Sequence, residues 1–264
     1  MSDSGKFSKA VVPLAVLALV VLIIIPIPVF VLDIMIALNM FFAIVILLAA
    51  PCVKKATDFY VCPTLIAASA LFNMITIISA SRLILVQGGE RFDGRLIRFV
   101  SSLVAYPGDT VRLVVGFVIF AVLVAAQVLV ITKGAVRIAE VAARFTLEAM
   151  PGKQMAMDSE LANGTIGQEE HAAGKKALQR EVDLYGAMDG ATKFISVNVK
   201  FSVCMIILII LGGITIGIAI HGEALFAAVG TYTSLAVGSG LLFMLPSFLA
   251  CSAVAVLVIR AVRG

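Results

Sequence analysis

Six long apolar runs constrain this chain more than any other feature. A helix of roughly 20 residues crosses about 30 Å of hydrocarbon, and each run is close to that length. The runs cover residues 10–32, 34–53, 61–85, 111–131, 201–220 and 235–259. The sequence therefore predicts an all-α, polytopic helical membrane protein with about six transmembrane helices.

The composition agrees with a membrane protein and argues against other classes. The 264 residues are 61% hydrophobic and 14% charged, whereas soluble domains average roughly 45–50% apolar and 25% charged residues. The net charge of +4 could indicate nucleic-acid binding, but the basic residues flank apolar runs, where they ordinarily set membrane orientation. We therefore predict no nucleic-acid partner.

Catalytic and metal-binding patterns were sought and not found in the sequence. It contains no P-loop, no H-E-x-x-H, no G-x-S-x-G and no C-x-x-C, so we predict neither an enzyme nor a cofactor. His171 and His221 have no second histidine at helical spacing, which argues against a metal site. The scattered cysteines are interpreted as small buried hydrophobic residues: Cys52, Cys62, Cys204 and Cys251.

Orientation follows from the lysines and arginines, because positive loops stay cytoplasmic. Lys6 and Lys9 precede the first run, no small-x-small cleavage site follows it, and we interpret it as an uncleaved helix. If both termini and residues 133–200 are cytoplasmic, 15 of the 20 basic side chains lie inside. The predicted outer residues are Arg82, Arg91, Arg95, Arg98 and Arg112.

The predicted organisation has three parts. Residues 1–132 form a membrane region with four transmembrane helices, 133–200 a large cytoplasmic helical loop, and 201–264 a membrane region with two helices. Pro26 and Pro28 should end or kink the first helix, and Asp33 should mark a tight turn. Residues 96–104 should form a short interfacial or re-entrant helix.

The polar segment 137–193 has helical order of its own. Four charged side chains fall three or four residues apart with alternating sign: Arg137, Glu140, Arg144 and Glu148. This spacing fits either a solvated helix with weak ion pairs or a docking surface. Pro151 and Gly152 should stop this helix. A second helix is predicted at about 168–184, with a capping box over residues 165–168 and a break at Gly186–Gly190.

Two runs in this segment carry a family resemblance. Residues 137–158 read RIAEVAARFTLEAMPGKQMAMD and residues 185–194 read YGAMDGATKF. They resemble the signature of the FHIPEP family, the large inner-membrane export-gate component of bacterial flagellar and injectisome type III secretion systems. The resemblance continues elsewhere at Pro26-Ile-Pro28, Asp33, Asn39, Ser81-Arg82, Ile131-Thr-Lys-Gly134 and Tyr232-Thr233.

The resemblance implies a function, a location and partners. Members help to move unfolded protein substrates across the bacterial inner membrane, coupled to the proton motive force. The implied partners are further copies in a nonameric ring, other export-gate membrane proteins and the exported substrates. Seven loop positions match the family motif and are implied to make inter-subunit or gate contacts: Arg137, Arg144, Glu148, Lys153, Asp158, Asp189 and Lys193.

The chain also departs from the family pattern. Asn73 and Ile77 stand where the third span usually has an arginine and an asparagine, and Glu148 replaces an aspartate. Asn198 and Ser239 stand where acids are expected, and neither can switch charge by protonation as a carboxylate does. Asp33 is then the clearest acid near a membrane boundary, a candidate proton-handling residue or an interfacial turn residue.

Two further alternatives follow from these departures. Family members resembling this chain continue through two more spans and a large cytoplasmic domain, so we expect a split or truncated gene or a fragment, with a separately encoded C-terminal half as a further partner. The chain could instead be a truncated or divergent paralogue with a structural, assembly role and no proton coupling. A small-solute transporter is disfavoured because no internal repeat is visible.

Overall fold

A computed structural model describes residues 27–52, 62–88, 91–105 and 109–263, and within these ranges the chain is helical with no strand. A 3₁₀ turn, Ala50–Cys52, follows the first helix, and a π-helical turn, Val130–Ala135, joins the fourth to the fifth. The helices are α1 Val29–Ala49, α2 Cys62–Gln87, α3 Arg95–Val104, α4 Thr110–Leu129, α5 Val136–Ala162, α6 Gln168–Ala219 and α7 Leu225–Arg263.

Five stretches of the described residues are helical, long and apolar enough to cross a membrane. They are Val29–Ala49, Cys62–Gln87, Thr110–Ala162, Gln168–Ala219 and Leu225–Val258. They contain nearly all of the last five predicted apolar runs, so the prediction of a polytopic helical membrane protein is confirmed. The first predicted run, 10–32, lies mostly outside the described residues, as do Lys54 and Lys55.

Two predicted boundaries in the membrane helices were wrong. Asp33 does not mark a turn, because α1 begins at Val29 and the Pro28 carbonyl accepts bonds from the N–H groups of Val31 and Leu32. The last helix begins at Leu225, ten residues before the predicted start. Hydropathy detects the apolar part of a helix and misses the turns that extend beyond it.

Several predictions of helix ends in the polar segment were also wrong. α5 continues through Pro151 and Gly152 to Ala162, although an interior proline removes a backbone donor and crowds the preceding turn. α6 begins at Gln168, which confirms its predicted start, but Gly167 and not Thr165 precedes it, so the predicted capping box is wrong. α6 then passes through Gly186 and Gly190 without a break, because the buried Tyr185, Met188 and Ala191 stabilise this stretch against glycine's low helix propensity.

The chain divides into two compact units. Unit 1 comprises Met1–Phe42, Leu71–Ala125 and Asn198–Pro246, and unit 2 comprises Ala43–Ala70, Ala126–Val197 and Ser247–Gly264. The predicted burial of cysteines is confirmed for Cys62 and Cys251 and wrong for Cys204, which is exposed on the apolar stretch of α6. The side chain of Cys52 lies outside the described residues.

Unit 1 packs its helices through small residues. Its core includes the buried Ile77, Ile97, Phe120 and Tyr232. A Cβ atom at Gly116 would overlap the Val104 backbone, and others at Gly213 and Gly238 would overlap Tyr232 and Ser101. Such close approach is typical of helices that associate within a membrane, where packing rather than the hydrophobic effect holds them together.

Two short chains of buried hydrogen bonds also lie in unit 1. Asn39 Nδ2 donates to Asn73 Oδ1 at 2.6 Å, and Asn73 Nδ2 donates to the Phe243 carbonyl at 3.0 Å. Ser101 Oγ donates to the Ser234 carbonyl at 2.9 Å, and Ser234 Oγ donates to the Ala105 carbonyl. The first set joins α1, α2 and α7, and the second joins α3 to α7.

Candidate functional site

α5 and the first part of α6 form a helical hairpin in unit 2. α5 ends where Gly164 adopts a φ of +72°, and the N–H of Thr165 donates to the Glu160 carbonyl at 3.0 Å. That bond and the left-handed glycine are the features of a Schellman C-cap. The turn returns the chain alongside α5, so the two helices are antiparallel neighbours.

Apolar side chains are buried along both helices of the hairpin. They are Val136, Ala139 and Ala143 on α5, and Leu178, Leu184, Tyr185, Met188, Ala191 and Ile195 on α6. Burial raises the pKa of the Tyr185 phenol, and the nearby charge of Glu181 raises it further. The hydroxyl therefore stays neutral inside the hairpin at physiological pH.

Four of the seven predicted loop residues line one open groove of about 410 Å³ between α5 and α6. These are Arg144, Glu148, Asp189 and Lys193. Glu140, Ala143 and Leu147 complete the lining. Three carboxylates and two cations therefore face a shared space, with an apolar floor.

Each cation in the groove is paired with a carboxylate of its own helix. Arg144 Nε donates to Glu148 Oε1 at 2.7 Å, and Lys193 Nζ donates to Asp189 Oδ2 at 2.8 Å. These bonds raise the pKa of Arg144 and the pKa of Lys193, so both side chains stay charged. Because the pairs are exposed, each contributes little to stability and is exchanged easily for a pair with another molecule.

Asp189 has capacity for one more hydrogen bond. Its carboxylate is only 25% exposed, and Oδ2 is taken by Lys193. Oδ1 is buried and has no hydrogen-bond partner among the described residues. An ionised carboxylate accepts bonds at both oxygens, so Oδ1 keeps an unused acceptor site beneath the exposed surface.

The other three predicted loop residues lie outside the groove lining. Lys153 is 3.4 Å from Glu181 and Asp158 is 2.7 Å from His171, and each of these pairs joins α5 to α6. Arg137 is exposed in the first turn of α5. The structure thus separates the predicted set into groove residues, hairpin contacts and one exposed side chain.

Sequence reasoning omitted several residues from the predicted site. Glu140 was visible as part of the charged face four residues before Arg144, and this spacing was sufficient to include it. Glu181 and His171 carry no local signal, because their partners lie 28 and 13 residues away across the hairpin. Within the described ranges no group of three or more His, Cys, Asp or Glu side chains is placed to hold a metal ion.

Unit 1 contains Asp33 and four of the positions that depart from the family pattern, Asn73, Ile77, Asn198 and Ser239, whereas Glu148 lies in unit 2. Asp33 accepts bonds from the backbone N–H groups of Arg95 and Leu96 at 3.1 and 3.3 Å. Asn198 is buried, and Ser239 is buried with its hydroxyl donating to the Ala236 carbonyl at 3.1 Å.

The sequence matches one family and several curated proteins. A sequence model described as the FHIPEP family matches residues 19–264. The flagellar biosynthesis protein FlhA of Borreliella burgdorferi is 42% identical over 97% of this chain and 36% of its own length. The probable translocation protein y4yR of Sinorhizobium fredii is 40% identical over 94% and 35%, and protein MxiA of Shigella flexneri is 38% identical over 88% and 33%.

The matched region is only part of those proteins. The chain spans about a third of the length of the curated relatives it matches. No solved structure matches it.

Proposed function

This chain belongs to the FHIPEP family, and from that premise we propose that it is a membrane subunit of a type III protein export apparatus, flagellar or injectisome. The observation that carries the proposal is the family match over residues 19–264. The names of the relatives, which refer to flagellar biosynthesis and translocation, support the same apparatus.

The proposed activity is to help move unfolded protein substrates across the bacterial inner membrane, driven by the proton motive force. Five stretches of the described residues that are long and apolar enough to cross a membrane support a role within the bilayer. The distribution of lysine and arginine supports a cytoplasmic N-terminus and a cytoplasmic position for residues 133–200. The proposed partners are further copies of the chain in a nonameric ring, other export-gate membrane proteins and the exported substrates.

In this proposal the groove of the hairpin is a contact surface within the apparatus. Its two ion pairs are exposed and local, so a partner replaces them at little cost. Asp189 Oδ1 carries an unused acceptor site, which a partner's donor reaches once the side chain turns toward the groove. The pairs Lys153–Glu181 and Asp158–His171 keep the two helices together while the groove exchanges partners.

Deletion of residues 137–193 tests the function. In cells whose secretion depends on this chain, the deletion should abolish secretion, because the proposed contact surface is lost. Membrane fractionation should still recover the shortened protein, since residues 201–220 and 235–259 remain. Secretion that continues unchanged would rule out a role for this segment in export.

A single charge reversal tests the groove more sharply. Lys193→Glu places a third carboxylate beside Asp189 and Glu140 and should reduce secretion strongly. Lys176→Glu is the matched control, because Lys176 is exposed on the same helix and does not line the groove. Equal secretion by the two variants would contradict the proposed contact surface.

A structural role without proton coupling is the second candidate. It is favoured by Asn198 and Ser239, which are buried and neutral at positions where the family resemblance implies acids. Neither side chain binds and releases a proton at physiological pH. If Asn198→Asp combined with Ser239→Asp raised secretion or proton flux, a purely structural role would be excluded.

A further inference from the structure

The short helix α3 has no cap of its own. The first N–H groups of a helix have no intrahelical partner, and they are usually satisfied by a Ser, Thr, Asp or Asn side chain at the N-cap. In α3 the N-cap is Gly94, which has no side chain, and the first turn carries no acidic residue. The cap must therefore come from another part of the chain.

Asp33 supplies this cap from a distant position in the sequence. Its Oδ2 accepts from the N–H of Arg95 at 3.1 Å and its Oδ1 accepts from the N–H of Leu96 at 3.3 Å. Arg95 and Leu96 follow Asp33 by 62 and 63 positions in the sequence. Both carboxylate oxygens meet the positive end of the α3 dipole, where a negative charge is favourable.

The remainder of α3 lies close to α7. Ile97 and Ser101 are the buried residues of α3, and Ser101 Oγ donates to the Ser234 carbonyl at 2.9 Å. A Cβ atom at Gly238 would lie 2.7 Å from the Ile97 carbonyl oxygen and 2.8 Å from the Ser101 nitrogen. A small shift of α3 would therefore break a hydrogen bond or create a steric clash.

The contact satisfies Asp33 as well as the first turn of α3, and its Arg95 end is exposed. Asp33 lies in a stretch of α1 that is long and apolar enough to cross a membrane. An unsatisfied N–H is costly where water is scarce, and so is a carboxylate without donors. One contact satisfies both groups.

We infer that Asp33 is a positioning residue whose carboxylate caps α3 and holds that helix against α7. Its contribution is the geometry of its acceptors. Asn keeps only one of the two acceptors, because its Nδ2 donates and cannot accept from an N–H, and it cannot carry a proton at physiological pH. The capping hypothesis therefore expects Asp33→Asn to fall between the parent and Asp33→Ala, whereas the proton-handling hypothesis expects it to fail as completely as Asp33→Ala.

Hydrogen–deuterium exchange of the full chain in lipid nanodiscs tests the inference. The readout is exchange of the backbone N–H groups of residues 95–104. We expect Asp33→Ala to speed their exchange by roughly fivefold, the size expected when one N-cap contact is lost. Asp33→Asn should speed their exchange less, by roughly twofold, because one of the two acceptors remains. Peptides from α5 should be unchanged in both variants.

Two more variants test the geometry of the cap and the packing of α3 independently of Asp33→Ala. Asp33→Glu keeps the charge and the exchangeable proton but extends the side chain, so it should speed exchange in residues 95–104. Gly238→Ala leaves Asp33 intact and displaces α3 from its other side, so it should raise exchange in the same peptide. Unchanged exchange in Asp33→Ala, or Asp33→Asn behaving like Asp33→Ala, overturns the inference.

A secretion assay separates this inference from the proposed function. Asp33→Asn should retain more secretion than Asp33→Ala, and each variant, Asp33→Glu included, should lose secretion in proportion to its faster exchange. If Asp33→Asn abolished secretion while exchange in residues 95–104 stayed normal, Asp33 would act by carrying a proton. If the exchange results hold in a chain that supports no secretion, the cap stands and the proposed export function fails.

Discussion

The hairpin of unit 2 and the helices of unit 1 use polar side chains in opposite ways. In the hairpin, Arg144–Glu148 and Lys193–Asp189 are exposed pairs between residues four positions apart. In unit 1, Asn73 is buried and hydrogen-bonded to a carbonyl 170 positions away, and Ser101 is buried and bonded to one 133 positions away. The first kind of contact joins residues close in the sequence and is exposed. The second kind joins residues far apart in the sequence and is buried.

This difference predicts where stability and adaptability are found. Exposed ion pairs contribute little and form or break freely, whereas a buried donor that loses its acceptor costs the full desolvation of that group. Unit 1 also depends on glycines that allow close helix contact, while Gly186 and Gly190 in unit 2 have no atom near a would-be side chain. We therefore expect substitutions in unit 1 to unfold the protein and substitutions in the hairpin groove to change what it contacts.

The largest expected effect is that of Gly213→Ala. The new Cβ atom would lie 2.9 Å from Tyr232 Cε1 and closer still to other atoms of that fully buried ring. Overpacking of this kind should destabilise the protein by about 3 kcal/mol, measured by thermal unfolding in detergent. The control is the neighbouring Gly212→Ala, whose Cβ atom would meet Leu85 at an ordinary 3.5 Å. Equal melting temperatures for the two variants would contradict the packing argument.

The next effect is that of Asn73→Leu. It removes the acceptor of Asn39 Nδ2 and a donor to the Phe243 carbonyl, and should cost about 1–2 kcal/mol, the upper range for hydrogen bonds between membrane helices. Combining it with Asn39→Leu should cost less than the sum of the single changes, since no amide is then left unpaired. A double-mutant cycle of unfolding free energies measures this coupling, and strict additivity would mean that the two amides do not interact.

A smaller effect of opposite sign is expected from Gly186→Ala and Gly190→Ala. Both glycines lie inside α6, and an added Cβ atom at either position meets nothing within 4 Å. Alanine has the higher helix propensity, so each substitution should stabilise the hairpin by about 0.5–1 kcal/mol. Slower hydrogen exchange across residues 168–197 would show this. Faster exchange in either variant would mean that the glycine serves a contact or a bend in this helix.

These comparisons also show which features the sequence reveals. The membrane class and the Arg144–Glu148 pair were predictable, because hydropathy and helical spacing are properties of adjacent residues. For the groove, the sequence predicts the charged residues of α5 but not which residues of α6 lie opposite them. Asp189 and Lys193 face Glu140 and Arg144 only because the turn at Gly164 sets the register of α5 against α6.

Other features had no local signal or a misleading one. Asp33 looks like a turn residue or an isolated acid, and its role as a cap depends on a helix 62 residues later. Pro151 predicts a helix end at a position where α5 continues. The glycine pair of α6 also predicts a helix end, but the buried Tyr185, Met188 and Ala191 stabilise those turns against the intrinsic propensity of a few residues. Tertiary packing decides such positions, and one sequence does not display it.

The smallest predicted effect concerns the contact between Lys153 and Glu181. Their charged groups are 3.4 Å apart on α5 and α6, and both are partly exposed. A double-mutant cycle of Lys153→Gln and Glu181→Gln should give a coupling of about 0.5 kcal/mol in low salt, and the coupling should fall when added salt screens the charges. A much larger, salt-independent coupling would place this pair with the buried contacts of unit 1. The hairpin would then be a rigid element. A partner would have to replace the Arg144–Glu148 and Lys193–Asp189 pairs while α5 and α6 stay in contact.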